Sequence, residues 1–128
     1  IDVFPDNFKY PATVIGSEKN YPMGGYQMLV RGEVMRGKYR NSFEKPEPFK
    51  PGAIEQVKFY LPDVAHTFKK GHRIMVQVQS SWFPLVDRNP QKFVNIYEAD
   101  EKDFQKSDIK IFHSAKYPSS IILPVINK

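Results

Sequence analysis

The stretch Arg73-Ile74-Met75-Val76-Gln77-Val78-Gln79 decides the fold class. Ile74, Val76 and Val78 alternate with Arg73, Met75, Gln77 and Gln79, a period of two that turns one face inward and the other to solvent, as in a half-buried antiparallel strand. The same period recurs upstream. Over 54–61, Val57, Phe59 and Leu61 oppose Gln56, Lys58 and Tyr60. Over 27–36, Leu29, Arg31, Glu33 and Met35 share one face, and Val30, Gly32 and Val34 the other; Gly32 suggests close packing or a bulge. Downstream, Ile109, Ile111 and His113 share a face, and 119–126 reads as a closing strand that Pro124 makes an edge or a bulge. Ala12-Thr13-Val14-Ile15-Gly16 reads as one more short strand.

The connections fit the same picture. Turns fall at Pro62-Asp63 and at Phe68-Lys69-Lys70-Gly71-His72, and residues 4–25 are an irregular segment rich in turn signals. Residues 37–53, broken by Pro46, Pro48 and Pro51-Gly52, form a loop long enough to be a packed surface loop with a job. Residues 80–91 break the alternation, and the mixed charges of 98–108 suit a short helix or a solvated loop. Eleven prolines leave little room for long helices. Ten Phe and seven Tyr suit strands. Nothing repeats at a fixed period, which argues against a solenoid or propeller. The expectation is an all-β sandwich or barrel whose core draws on Val57, Phe59, Leu61, Ile74, Val76, Val78, Ile111, Ile121 and Leu123.

At 128 residues the chain is one ordinary domain in length, and 41% hydrophobic with 26% charged residues marks it as globular rather than disordered. No apolar run reaches the roughly 18 residues a membrane helix needs, so no membrane partner is expected. Cysteine is absent, which removes disulfides, thiol nucleophiles and thiolate metal sites. Much of the net charge of +5 lies between Arg31 and Lys50, where Arg31, Arg36, Lys38, Arg40, Lys45 and Lys50 outnumber Glu33, Glu44 and Glu47. No nucleic-acid motif accompanies it, so it reads as a solvated face or a contact with an acidic partner domain rather than a nucleic-acid site. Ile1-Asp2-Val3-Phe4 reads like the end of a strand, and the chain is expected to be a fragment of a longer protein.

Chemistry is sparse. His66, His72 and His113 lack metal-ligand spacing and read as turn and edge residues; no metal or cofactor is expected. Ser17, Ser42, Ser80, Ser81, Ser107, Ser114, Ser119 and Ser120 all lie outside any GxSxG elbow. Glu44 and Glu47 flank a proline-rich loop, and no GK[ST] follows Gly24-Gly25. A self-sufficient enzyme would need a triad drawn from distant segments, with Ser80, Ser81, His72 and His113 the first places to look. One constellation stands out, Trp82-Phe83-Pro84 followed by Asp87-Arg88-Asn89-Pro90. It reads either as a local turn, with Asp87 or Asn89 accepting backbone hydrogen bonds and Trp82 packed as core, or as a docking surface, because Trp and Arg dominate interface hot spots.

Four stretches together carry a resemblance. They are Leu29 to Ser42, Phe68-Lys69-Lys70-Gly71-His72-Arg73-Ile74, Ser80 to Pro90, and His113 to Ser119 with Leu123-Pro124-Val125. In order and spacing they resemble the C-terminal, non-catalytic domain of the cocaine esterase and X-prolyl dipeptidyl-peptidase group of serine hydrolases. That group includes α-amino-acid ester hydrolases and glutaryl-cephalosporin acylase-like proteins. The resemblance implies a jelly-roll β-sandwich of galactose-binding type that packs on an N-terminal α/β-hydrolase domain of the same polypeptide and helps wall its active-site cleft. The Ser-Asp-His triad belongs to that other domain, so no catalytic residue carries over and the chain alone is not an enzyme.

The family's sandwich begins before the position of Ile1, so residues 1–128 are expected to lack its first strands. Uncovered strand edges would then invite homo-oligomers. Leu85-Val86 replaces a more polar pair. Arg40, Asn41, Trp82, Phe83, Asp87, Arg88 and Asn89 become the candidate interface or loop-locking residues. A secreted or periplasmic location is expected. The competing reading is a carbohydrate-binding jelly roll that stacks sugars on Trp82, Tyr97 or Tyr117.

Overall fold

Asp2–Val3 (β1) is the middle strand of a three-stranded antiparallel sheet, flanked by Gln27–Met28 (β4) and Arg73–Ile74 (β5). Asp2 lies opposite Met28 on one side and Ile74 on the other, and Val3 opposite Gln27 and Arg73. The structure is a computed structural model that describes residues 1–16 and 19–126. Its sheets are antiparallel and its helices are single turns, so the chain is of the all-β type. Residues 1–78 form one compact unit, and a second begins at Gln79.

Lys9–Tyr10 (β2) and Tyr21–Pro22 (β3) make a second antiparallel pair, with Lys9 opposite Pro22. The segment between them departs from the sequence reading. Thr13, Val14 and Ile15 are β-branched and suggest a strand, yet Ala12–Ile15 is one helical turn (α1). Pro11 starts it in extended geometry and accepts a hydrogen bond from the Val14 amide; Gly16, at φ 62°, ends it in the left-handed region open to glycine. Asn20 accepts from the Ala12 amide and closes the turn. Local turn chemistry outweighs strand propensity here.

The core of the first unit sits on β1. Val3 and Phe4 are buried, and Phe4 packs on Phe8 (4.6 Å between ring centres), Tyr26 (5.5 Å, edge-on) and His72 (4.8 Å). The core expected from alternation lies elsewhere. Val57, Phe59, Leu61, Ile74, Val76, Val78, Ile111, Ile121 and Leu123 are all exposed, from 39% at Leu61 to 63% at Val78. The physical reason is pairing. Beyond the two-residue strands, 54–61, 109–115 and 119–126 join no ladder among the described residues, and an apolar strand face is buried only by a neighbouring sheet. The charged segment at 98–108 contains two 3-10 turns, Ile96–Glu98 at its start and Glu101–Asp103, rather than a longer helix.

Candidate functional site

Three clusters of side chains organise the chain, two in the first unit and one in the second. The first is built on Asp2, whose carboxylate is 2% exposed. His66 lies 3.0 Å from one oxygen through Nε2, and His72 lies 2.9 Å from the other through Nδ1. An ionised carboxylate only accepts hydrogen bonds, so each imidazole donates the N–H it turns toward Asp2. Burial pushes the Asp2 carboxyl up, but the bonds and charge of His72 and His66 outweigh it and hold it below the usual carboxylate range. The His72 side chain is 5% exposed and packed against both Phe4 and Phe8; that of His66 is 20% exposed, with its ring edge-on to Phe68. The cluster ties the first strand to the turn at 66–72.

The second cluster is built on Arg40, at the end of the 3-10 turn Gly37–Tyr39. Its side chain is 4% exposed. Nη1 donates to the carbonyls of Gly37 (3.2 Å) and Glu47 (3.0 Å), and Nη2 to that of Pro48 (3.2 Å). The guanidinium stacks on Phe49 at 4.2 Å and lies 3.6 Å from the Glu55 carboxylate. Asn41 donates to the Glu47 carboxylate at 2.9 Å. Arg40 therefore spans the loop at 37–55 from inside.

The third cluster joins 87–92 to 101–105. Arg88 makes a two-pronged pair with Glu101 (3.0 and 3.2 Å) and stacks on Phe104 at 4.1 Å. The bonds from Glu101 raise the Arg88 pKa, and Arg88 lowers that of Glu101. Asn89 donates to the Ser80 carbonyl and accepts from the Gln91 amide. Gln105 donates to the carbonyls of Pro90 and Gln91, and Lys92 pairs with Asp103 at 2.7 Å. Trp82 is half-buried, its carbonyl accepting from the Val86 amide; Phe83 is exposed, as is Asp87.

Sequence reasoning singled out Arg88 but not its partners Glu101 and Phe104, nor Gln105, which holds Pro90 and Gln91; all three sit in the segment read as a short helix or solvated loop. It also missed Asp2. The available signal was a carboxylate amid the apolar Ile1, Val3 and Phe4, with two histidines flanking one turn. Four of the serines serve local turns: Ser42 accepts from the Glu44 and Lys45 amides, Ser81 from Phe83 and Ser114 from Tyr117, while Ser119 donates to the Phe112 carbonyl. Ser17 lies outside the described residues.

Residues 1–122 match the family model of the X-Pro dipeptidyl-peptidase C-terminal non-catalytic domain. The chain belongs to this family. It is similar to the cocaine esterase of Rhodococcus sp. (strain MB1 Bresler), 29% identical over 128 residues. That alignment covers 100% of the chain but 19% of the esterase. No solved structure matches. Membership in a family defined as non-catalytic does not favour the carbohydrate-binding reading, whose principal aromatic, Trp82, is half-buried.

Proposed function

We propose that the chain is the accessory C-terminal domain of a bacterial serine hydrolase of the acylase, esterase or X-Pro dipeptidyl-peptidase type. It braces an N-terminal α/β-hydrolase domain that carries a Ser-His-Asp triad, and it walls the cleft of that domain as a jelly-roll sandwich of galactose-binding type. A secreted or periplasmic location goes with this reading. The observation that carries it is apolar exposure. Phe43 is 83% exposed, Tyr60 97% and Ile122 92%, beside the uncovered strand faces. Monomeric soluble proteins rarely leave such surface to water, and extended apolar exposure marks an interaction site. A domain matched to 19% of a longer relative has polypeptide available to cover it. Arg40 and Asn41, and Arg88 with Asn89, then hold loops in shape for docking.

The test is hydrolysis of p-nitrophenyl esters, glutaryl amides and X-Pro anilides by residues 1–128 and by the full-length protein. Activity confined to the full-length protein is expected, and the responding substrate names the class. Turnover by residues 1–128 alone would refute the accessory role.

A further inference from the structure

The register of the three-stranded sheet sorts its side chains onto two faces. Asp2 lies opposite Met28 and Ile74, and that face carries Phe4 and meets the two histidines. Val3 lies opposite Gln27 and Arg73, so these three side chains form one row on the other face. Met75, two residues beyond Arg73, shares that face, and its amide donates to the Ile1 carbonyl at 2.9 Å. A groove of about 400 Å³ opens there, lined by Val3, Gln27, Arg73, Ile74, Met75 and Val76. All six residues belong to the first unit.

The lining combines an apolar floor with two polar groups that nothing else uses. Val3 is 6% exposed and Met75 is half-buried. Arg73 is the one charged residue of the six; it is exposed and pairs with no carboxylate among the described residues. By contrast, Arg40 lies beside Glu55 and Arg88 is forked onto Glu101. Gln27 is exposed too, and its side-chain amide has no partner among the described residues. The strands of Gln27 and Arg73 lie about 10 Å apart across β1, so a small group seated over Val3 is within reach of both side chains.

We propose that this groove binds a small apolar monocarboxylate. The Arg73 guanidinium and the Gln27 amide hold its carboxylate, and its hydrocarbon body lies on Val3 and Met75. Arginine presents N–H donors in a fork that matches the two oxygens of a carboxylate, and a glutamine amide adds a further donor. One guanidinium balances one negative charge, whereas a phosphate dianion would leave a charge uncompensated at an apolar floor. The volume is at the small end of the range for small-molecule sites, which suits a free acid rather than an extended peptide. The site needs only residues of the first unit and stands apart from the accessory role.

Met75 is the reporter. In the full-length protein with isotope-labelled methionine methyl groups, Met75→Leu identifies the Met75 signal, and sodium hexanoate is titrated at constant ionic strength. The expected result is a saturable shift of that signal, with half-saturation on the order of 1 mM for so small a ligand. Hexanamide keeps the hydrocarbon and loses the charge, and it should bind about tenfold more weakly or worse. Arg73→Gln should weaken hexanoate by a similar factor and leave hexanamide within about twofold. The other methionine signals, at their wild-type positions, show that the variant is folded; if it is not, hexanoate against hexanamide on the wild type decides. No saturable shift, equal binding of the two ligands, or undiminished hexanoate binding by folded Arg73→Gln would each overturn the proposal. Tighter binding of N-acetylleucine than of hexanoate would assign the groove to peptide carboxyl ends and overturn the free-acid occupant. The substrate panel is independent of all these outcomes: an active protein that ignores hexanoate loses the groove ligand alone.

Discussion

Arg40→Ala should release the loop at 37–55 without unfolding the sheet. The guanidinium makes three bonds to carbonyls of Gly37, Glu47 and Pro48 and one stack on Phe49. Bonds from a charged donor reach about 1.5–3 kcal/mol each, but Glu47 and Pro48 are exposed and their carbonyls regain water, so about 0.5–1 kcal/mol per bond is the better figure here. The stack adds about 0.5–1 kcal/mol. Nε is buried with no partner among the described residues, which offsets part of the gain. The bonds and the stack sum to about 2–4 kcal/mol, and the unpartnered Nε brings the balance down to about 1–3 kcal/mol of local opening, or about 5- to 150-fold in the open population. Chymotryptic cleavage after the exposed Phe43 reads that population directly when opening is fast relative to cleavage. In the full-length protein, Arg40→Ala should raise the cleavage rate by that factor. Arg40→Lys should recover less than half of the loss in free energy, because one ammonium cannot fork across three carbonyls. A change below threefold in Arg40→Ala would refute the reasoning.

The carboxyl of Asp2 is held low, so its contribution is present above its unfolded value of about 3.8 and is lost as pH falls through the lower folded value. The melting difference between the full-length protein and Asp2→Asn should therefore be full near pH 6 and shrink toward zero well below pH 3.8; a constant difference would count against the cluster. Gly24→Ala should destabilise the turn after β3 by about 1–3 kcal/mol, because a Cβ there runs into the Asp6 carbonyl, and amide exchange at Phe4 and Tyr26 in the variant and the wild type checks it. Glu101→Gln should weaken the join between 87–92 and 101–105, and about 1 M salt should narrow its difference from wild type, since the pair is exposed; proteolysis of that segment at two salt concentrations measures both effects.

Alternation made the all-β class legible, because a period of two in 73–79 has no helical reading. It could not say which strand each face meets. Ile74 and Val76 look like core in the sequence, but their burial depends on a neighbour that alternation does not name. At 12–16 the β-branched run misled, although Pro11 and Gly16 were visible as the start and stop of a turn. The Asp2 cluster was beyond periodic reasoning, since its members lie 64 and 70 residues apart and only the fold brings them together. Arg88 was singled out by its neighbours in the chain; its partner Glu101 hid in a segment, 98–108, where all but Ala99 and Phe104 are charged or polar.

The central position of β1 has a consequence for synthesis. Asp2 meets Met28 after 26 residues and Ile74 only after 72. The longer closure costs only about 0.9 kcal/mol more, so thermodynamics scarcely ranks the two pairings. Time does rank them. At roughly 5–20 residues per second, the ribosome needs about 2–9 s to travel from Met28 to Ile74. For that interval the nascent β1 has one neighbour and one bare edge, and for most of it, until His66 is made, Asp2 waits without either histidine. The order of emergence makes the early β1–β4 pair the species on which any chaperone or errant strand would act.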